Sequence, residues 1–231
     1  MSLIQVRNLS KTYQGGEGVV QALKNVNLEV EQGQFLALLG PSGSGKSTLL
    51  SVLGALNPPT EGEVIIDDIP IYELSEERRA DFRHEYIGFV FQQYQLIPYL
   101  TALENIMLPL AISKYSKKEQ RDMAQSVLEK VGLGKKGMRL PNQLSGGEQN
   151  RVAIARAIVN DPVILFADEP TGSLDSKTAS EILELFQSLN GDGQTVIMVT
   201  HNLENLSYVT HSVEIRDGVI SKKPEPVGGR L

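Results

Sequence analysis

The chain has 231 residues, of which 41% are hydrophobic and 22% charged, a composition typical of a folded protein rather than a disordered one. Its 22 basic and 28 acidic residues give a net charge of −6, which argues against a general nucleic-acid binder, since such a protein neutralises phosphates. Cysteine is absent, which excludes disulfide scaffolds, cysteine-ligated metals and cysteine nucleophiles and fits the cytosol.

The length fits one large α/β domain over residues 1–231. No apolar segment approaches the roughly 20 residues that span a bilayer. The first residues lack the basic and apolar regions of a secretory signal. If the protein works at a membrane, we expect another chain to hold it there.

The first half of the chain alternates between strand and turn signals. Apolar residues spaced among polar ones predict an N-terminal strand, and a continuous apolar run over Phe35–Leu39 predicts a strand buried on both faces. A glycine-rich segment and then a helical pattern follow this run. Further along, we predict a strand-rich segment at 19–30, a hairpin at 61–71, a helix at 75–84 with Ser75 as its N-cap, and a strand at 87–91.

The second half alternates helices and strands. We predict helices at 101–110, 116–131, 146–160 and 178–189, strands at 163–167 and 195–200, a hairpin at 212–220 and a loose tail at 222–231. This alternation predicts a largely parallel sheet with helices on both faces.

Residues 40–47 match the pattern G-x-x-x-x-G-K-S in full and form what we call the phosphate loop. Its glycines let successive backbone N–H groups turn inward, and the following helix adds its positive end. Lys46 would contact the β- and γ-phosphates, and Ser47 would ligate Mg²⁺. The nucleotide-binding residues expected here are Gly40, Pro41, Ser42, Gly43, Ser44, Gly45, Lys46, Ser47 and Thr48.

Two adjacent carboxylates end the predicted strand at 163–167. Because side chains alternate along a strand, Asp168 and Glu169 cannot serve the same role from the same face. Asp168 suits a hold on Mg²⁺ through water. Glu169 can project toward the γ-phosphate and orient or deprotonate the attacking water.

The segment Leu144-Ser145-Gly146-Gly147-Glu148-Gln149, here the signature segment, opens the predicted helix at 146–160. With the phosphate loop, the acidic pair, Ser173-Leu174-Asp175 and His201, it strongly resembles the ATP-binding subunits of ABC transporters over nearly the whole chain. The resemblance implies an α/β P-loop NTPase fold of the ABC type. It would have a RecA-like parallel-sheet core, an N-terminal antiparallel β subdomain and an inserted helical subdomain at about 93–160.

The resemblance also implies roles for single residues and an ATPase activity with ATP and Mg²⁺. Tyr13 would stack on adenine, Asp175 would communicate across a dimer, and Gln92, with Gln93 beside it, would contact Mg²⁺ and sense a membrane partner. His201 would bind the γ-phosphate. The catalytic residues would then be Glu169, His201, Lys46 and Gln92, and the metal ligands Ser47, Gln92 and Asp168.

A homodimer formed on ATP binding is implied as well. Two copies would pack head to tail, so that the phosphate loop of one faces the signature segment of the other. The residues completing the partner's nucleotide site would be Ser145, Gly146, Gly147 and Glu148.

Residues 87–106 are similar to the branch that contains lipoprotein-releasing, macrolide-export and cell-division ATPases. Asn150 and Tyr99 depart from the usual residues of the branch, and we expect neither to touch the chemistry. The branch implies that ATP drives conformational change in an integral-membrane permease subunit for export, lipoprotein release or mechanotransmission. The permease would dock in a groove near residues 92–110, lined in part by Tyr94 and Tyr99, and hold the chain at the inner face of the cell membrane.

One alternative shares the same dimer switch and stays open: an ATP-dependent regulatory scaffold for a membrane-bound signalling or cell-wall-hydrolase-activating complex. DNA-maintenance and ribosome-associated relatives are disfavoured, because such proteins carry a long coiled-coil insertion or two fused ATPase domains, and this sequence shows neither. A guanine-reading Asn-Lys-x-Asp motif does not occur, which disfavours a GTPase. We expect no nucleic-acid partner.

Overall fold

The computed structural model describes residues 2–15 and 18–227, which contain two β-sheets, six α-helices and three short 3₁₀ segments. The elements run in chain order as β1 (Ser2–Gly15), β2 (Gly18–Glu31), β3 (Phe35–Leu39), α1 (Lys46–Leu53), β4 (Glu61–Ile66), β5 (Ile69–Pro70), α2 (Glu76–Tyr86), β6 (Ile87–Val90), α3 (Ala102–Met107), α4 (Lys117–Lys130), α5 (Gly146–Ile158), β7 (Ile164–Asp168), α6 (Ser176–Gly191), β8 (Thr195–Thr200), β9 (His211–Arg216) and β10 (Val219–Pro226).

The larger sheet has the strand order β10-β9-β3-β8-β7-β6. All neighbours in it are parallel except the β9–β10 pair, which confirms the predicted parallel sheet. Leu39 pairs with Thr200, and Asp168 pairs with Val199, so β3, β7 and β8 end at one edge. Ligand sites of open parallel sheets lie at this carboxyl edge, and the loops after these strands meet there.

The smaller sheet is antiparallel, has the order β2-β1-β4-β5 and comes mostly from the N-terminal region, as predicted. Its apolar side chains pack with α1 against one face of the parallel sheet. Alternate residues of the parallel strands point to the other face and pack with α3 to α6. Helix α1 therefore lies in an apolar layer between the two sheets, which fixes the phosphate loop at its N-terminus.

Helices α3, α4 and α5 lie between β6 and β7 in the chain, where a helical insertion was predicted. The helix predicted over 101–110 is shorter than expected, because α3 ends before Pro109 and a 3₁₀ turn over Pro109–Ile112 follows. Ser75 and Ser116 cap α2 and α4 as their sequence positions indicate. Helix α6 begins two residues earlier than predicted, since Asp175 caps it.

The C-terminal segment differs from the predicted loose tail. Strand β10 continues through Pro226, where it pairs with His211, and Lys222 pairs with Glu214. Backbone hydrogen bonds hold these residues at the edge of the sheet, a position in which lysine and proline are common. Residues 228–231 of that prediction lie outside the described residues. Within residues 2–15 and 18–227, every helix falls short of the length and apolarity that a bilayer crossing requires.

Candidate functional site

A cavity of about 840 Å³ opens at the carboxyl edge of the parallel sheet. Four groups predicted from the sequence line it together: residues 41–48, Gln92, the pair Asp168 and Glu169, and His201. No sequence pattern predicted the remaining wall of the cavity, which is formed by Val20, Gln21, Ala22, Lys24, Asp217 and Gly218. The structure thus brings a phosphate loop, two carboxylates and a histidine to one concave site.

Backbone geometry in the phosphate loop requires glycine. At Gly40, with a φ of 150°, an added Cβ would lie 2.1 Å from the carbonyl oxygen of Ile215. At Gly45, with a φ of 102°, an added Cβ would lie 2.5 Å from the carbonyl oxygen of Ala22. Gly45 is also the N-cap of α1 and offers no side-chain cap. The positive end of α1 is therefore left to an anion in the cavity.

Lys46 is a buried cation with an unusual set of partners. Its side chain is 6% exposed, and its Nζ donates to the carbonyl oxygens of Gly40 and Pro41, each at 2.8 Å. Across the described chain, no carboxylate forms a salt bridge with it. Two carbonyl dipoles compensate a buried charge only in part, so the site favours an anionic ligand.

Ser47 and Asp168 form the candidate metal position. The Ser47 hydroxyl donates to Asp168 Oδ1 at 3.1 Å, and Gln92 lines the same cavity. Burial raises the pKa of Asp168, and the carboxylate of Glu169 raises it further, whereas the Ser47 hydrogen bond and Lys46 lower it. A nearby cation would relieve this cost, and hydroxyl, carboxylate and amide oxygens are ligands that suit Mg²⁺. The residues present therefore fit the ion.

Glu169 and His201 form a close pair at the ends of β7 and β8. His201 Nδ1 lies 2.8 Å from both carboxylate oxygens of Glu169. Glu169 has a φ of 47°, in the left-handed region that a non-glycine residue seldom adopts, and its N–H donates to Val199. This backbone conformation turns the carboxylate into the cavity instead of continuing the strand. The arrangement is one that can orient a water molecule and accept its proton.

The signature segment lies away from this cavity. Ser145 caps α5 in a reciprocal capping box with Glu148, which also forms an ion pair with Lys136. The Lys136 hydrogen bond is the main reason that the pKa of Glu148 is lowered. An added Cβ on Gly147 would lie 2.3 Å from Thr178 Cγ2. None of the predicted residues Ser145, Gly146, Gly147 and Glu148 borders the 840 Å³ cavity of the same chain.

Tyr13 and Asp175 also lie outside the cavity. Tyr13 is exposed, and its hydroxyl accepts a hydrogen bond from Asn57 at 2.7 Å. Its cross-strand partner Val20 does line the cavity, so the ring is near the site without forming its wall. The carboxylate of Asp175 accepts from the backbone and hydroxyl of Thr178, and these bonds lower its pKa. An aspartate directly before a helical pattern is itself a sequence signal for this N-cap.

Asn150 lies closer to the site than its sequence position suggested. Its side chain is fully buried, and its Nδ2 donates to the carbonyl oxygen of Pro170, the residue after Glu169. Helix α5 therefore contacts the loop that leaves Glu169. The other departure from the branch, Tyr99, is exposed on the surface.

A second concavity, of about 380 Å³, is the groove between α2, β6 and α5. We call it the β6 groove. From the predicted segment 92–110, only Gln95 and Pro109 line it, and neither Tyr94 nor Tyr99 does. Its remaining walls are Leu56, Arg83, His84, Ile87, Gly88, Phe89, Phe91, Arg156, Ala157 and Asn160. The side chains of His84 and Asn160 in this wall are hydrogen-bonded to each other.

Comparisons with known proteins agree with one another. Residues 23–172 match the family described as ABC transporter. An uncharacterized ABC transporter ATP-binding protein of Thermotoga maritima is 50% identical over 94% of this chain and 93% of its own length. The macrolide export ATP-binding/permease protein MacB of Syntrophobacter fumaroxidans is 46% identical over 99% of this chain, which spans 32% of that longer protein.

A solved structure extends the similarity to three dimensions. The ATP-binding cassette MJ0796 of Methanocaldococcus jannaschii, in a dimeric post-hydrolysis state bound to ADP and Pi, superposes with a TM-score of 0.89. The two sequences are 45% identical, and the match covers 98% of this chain and 100% of the other. The P-loop NTPase fold of the ABC type is thereby confirmed.

Proposed function

This chain belongs to the ABC transporter family of ATP-binding proteins, and from that premise we propose that it binds ATP with Mg²⁺ and hydrolyses ATP to ADP and phosphate. One observation supports this proposal above the others. Lys46, which is buried and forms no salt bridge with a carboxylate of the described residues, borders the same cavity as the Glu169–His201 pair. A residue that can bind phosphate and a pair that can activate water therefore line one cavity.

The phosphate loop would bind the triphosphate. Inward-facing N–H groups and the positive end of α1 attract the phosphate oxygens, and Lys46 would exchange its carbonyl partners for the β- and γ-phosphates. Ser47, Asp168 and Gln92 would hold Mg²⁺, which supplies positive charge to the phosphate oxygens when it is bound.

Glu169 would act as the general base. Its carboxylate accepts a proton from a water molecule as the water oxygen bonds to the γ-phosphorus, and the bond from that phosphorus to the bridging oxygen of ADP breaks. His201 holds the carboxylate through Nδ1, which leaves Nε2 on the opposite side of its ring. The histidine therefore orients the base, and when both ring nitrogens carry a proton, Nε2 would donate a hydrogen bond to the γ-phosphate.

A second copy would complete the site. The signature segment does not border the cavity of its own chain, yet Ser145 and the first turn of α5 offer a hydroxyl and a positive helix end. The MJ0796 cassette with ADP and Pi is dimeric. We propose a head-to-tail homodimer in which the residues at 145–148 face the partner's γ-phosphate and Asp175 lies near the interface.

Phosphate release by the purified chain tests this function. We expect slow hydrolysis of ATP whose rate per chain rises with protein concentration, because each site needs a second copy. Chelation of Mg²⁺ should lower the rate by at least about a hundredfold, since a metal ion at developing charge contributes several kcal/mol. A rate per chain that is independent of concentration would contradict the dimer. A rate that is insensitive to chelation would contradict the metal site.

The β6 groove would hold the membrane partner. Leu56, Phe89 and Phe91 contribute apolar side chains to its lining, and Arg83 and Arg156 contribute basic ones. Such a groove suits a short amphipathic helix with apolar anchors. We propose that the helix belongs to an integral-membrane permease subunit, which the chain drives in export, lipoprotein release or mechanotransmission and which holds it at the inner face of the membrane.

A charged substitution in the β6 groove tests this docking site by its effect on co-purification with the permease. Leu56→Glu should prevent co-purification of the chain with a co-expressed permease subunit, because a carboxylate would be buried against apolar anchors. Tyr115→Glu is the matched control, since Leu56 is 49% exposed and Tyr115, outside the groove, is 50% exposed. Equal recovery of the permease with both variants would place the docking site elsewhere.

A further inference from the structure

Tyr94 joins two parts of the molecule that are far apart in the sequence. Its hydroxyl lies 2.9 Å from the Ser173 hydroxyl, in the loop that follows Glu169. Although the apolar sequence around Tyr94 suggested a partner-facing side chain, Tyr94 packs against the apolar cluster of α3 to α6. The phenol hydroxyl also reaches within 3.8 Å of the position that a Cβ on Gly146 would occupy. One side chain thus bonds to the loop after Glu169 and lies beside the start of α5.

Arg156 fixes the backbone from which this side chain projects. Tyr94 and Gln95 have φ values of 57° and 47°, a pair of left-handed non-glycine residues that is unfavourable without outside support. The guanidinium of Arg156, on α5, donates to both of their carbonyl oxygens at 2.7 Å. Arg156 and Gln95 also line the β6 groove. Tyr94 is therefore held at a defined position between the groove and the loop after Glu169.

Ser173 lies at the exposed part of a turn whose flanking residues are held by other side chains: Asn150 donates to the Pro170 carbonyl oxygen, and Asn205 Nδ2 lies 3.4 Å from the Thr171 hydroxyl. The turn is closed by backbone hydrogen bonds from Gly172 to Glu169 and from Leu174 to Thr171. Across the described residues, the bond to Tyr94 is the one side-chain hydrogen bond that Ser173 makes. Loss of that bond would leave the turn attached to Glu169 with its exposed tip less restrained.

We propose that Tyr94 is a positioning residue that holds the turn at 170–174 in the conformation that a second copy of this chain binds. The inference rests on the proposed ATP-dependent homodimer. A loop that is ordered before association loses less conformational entropy when the interface forms. The hydroxyl of Tyr94 therefore favours the dimer without contacting the nucleotide.

ATP-dependent association of the Glu169→Gln chain measures this effect. Tyr94→Phe in that background should raise the dimer dissociation constant about tenfold, because each of two partly exposed hydrogen bonds per dimer contributes roughly threefold. Tyr99→Phe is the matched control and should change the constant less than about twofold, since its hydroxyl is exposed. Binding of a fluorescent ATP analogue to the dilute monomer should be equal in all three proteins.

A double-mutant cycle separates positioning from a general structural effect. Ser173→Ala should weaken the dimer as Tyr94→Phe does, and the double variant should be no weaker than either single one. Additive effects, equal constants for Tyr94→Phe and Tyr99→Phe, or a tighter dimer with Tyr94→Phe would each overturn the inference. Absence of any dimer from the Glu169→Gln parent would overturn the proposed association itself, and this inference with it.

Discussion

Replacement of Lys46 by alanine is expected to weaken ATP binding by about a hundredfold, as measured by calorimetric titration in the presence of Mg²⁺. Loss of one partner of a buried charge pair costs about 3 kcal/mol, and each 1.4 kcal/mol is a factor of about ten in affinity. The effect should be this large because Lys46 is buried and, among the residues that the structure describes, forms no salt bridge, so a bound phosphate would be its direct counter-charge. The Lys46→Ala protein should remain folded, since without nucleotide the charge of Lys46 is only partly compensated by two carbonyl oxygens and its loss costs the fold little.

Lys24→Ala provides the control for this measurement. Lys24 also borders the cavity, but its side chain is exposed, so water screens its attraction for phosphate. We expect its loss to change the affinity less than about threefold, a value typical of an exposed charge. Equal losses for the two variants would show that general positive charge, rather than the buried geometry of Lys46, determines binding.

The sequence predicted the parts of the site that local patterns determine. A buried strand over Phe35–Leu39, a glycine-rich loop and a helix specify the phosphate loop almost without reference to the rest of the chain. The positions of Asp168 and His201 follow from the rule that parallel strands end at one edge. The strand and the helix on either side of the loop are predicted correctly because neighbouring residues carry the whole signal for them.

The parts that the sequence did not predict depend on contacts between distant segments. Strand β10 is specified by backbone pairing with β9, which composition does not reveal. The left-handed backbone of Tyr94 is stabilised by Arg156, 62 residues away, and therefore leaves no local turn signature. The β6 groove takes most of its walls from outside segment 92–110, because α2, β6 and α5 meet only in the folded chain.

Helix α5 carries or contacts three regions of the proposed machinery. Its N-terminus carries the signature segment, Asn150 bonds to the loop after Glu169, and Arg156 holds Tyr94. A displacement of this helix would move all three regions together, because each is bonded to its side chains or backbone. Motion of the proposed partner in the β6 groove, which Arg156 lines, would therefore affect both the proposed association and the proposed hydrolysis.

Substitution of Glu169 by glutamine should lower phosphate release by roughly 10²–10⁴-fold, the range that a positioned general base contributes. The amide cannot take up the proton of the attacking water, although its oxygen can still accept a hydrogen bond from His201 Nδ1. Because ATP then persists between two chains, we expect light scattering to detect a dimer with ATP and a monomer with ADP. The dimer should require the intact phosphate loop, so adding Lys46→Ala should abolish it.

Glu204→Gln removes the same charge from an exposed carboxylate in the 3₁₀ segment after His201 and serves as the control. Its phosphate release should match that of the unmodified chain within about twofold, since exposed charges contribute little. A Glu169→Gln protein that hydrolyses ATP at the normal rate would show that Glu169 is not the general base. In the Glu169→Gln protein, slow hydrolysis leaves the bridging γ-phosphate in place. If this protein nevertheless stays monomeric at high ATP and protein concentration, the signature segment does not bind the nucleotide of a second chain.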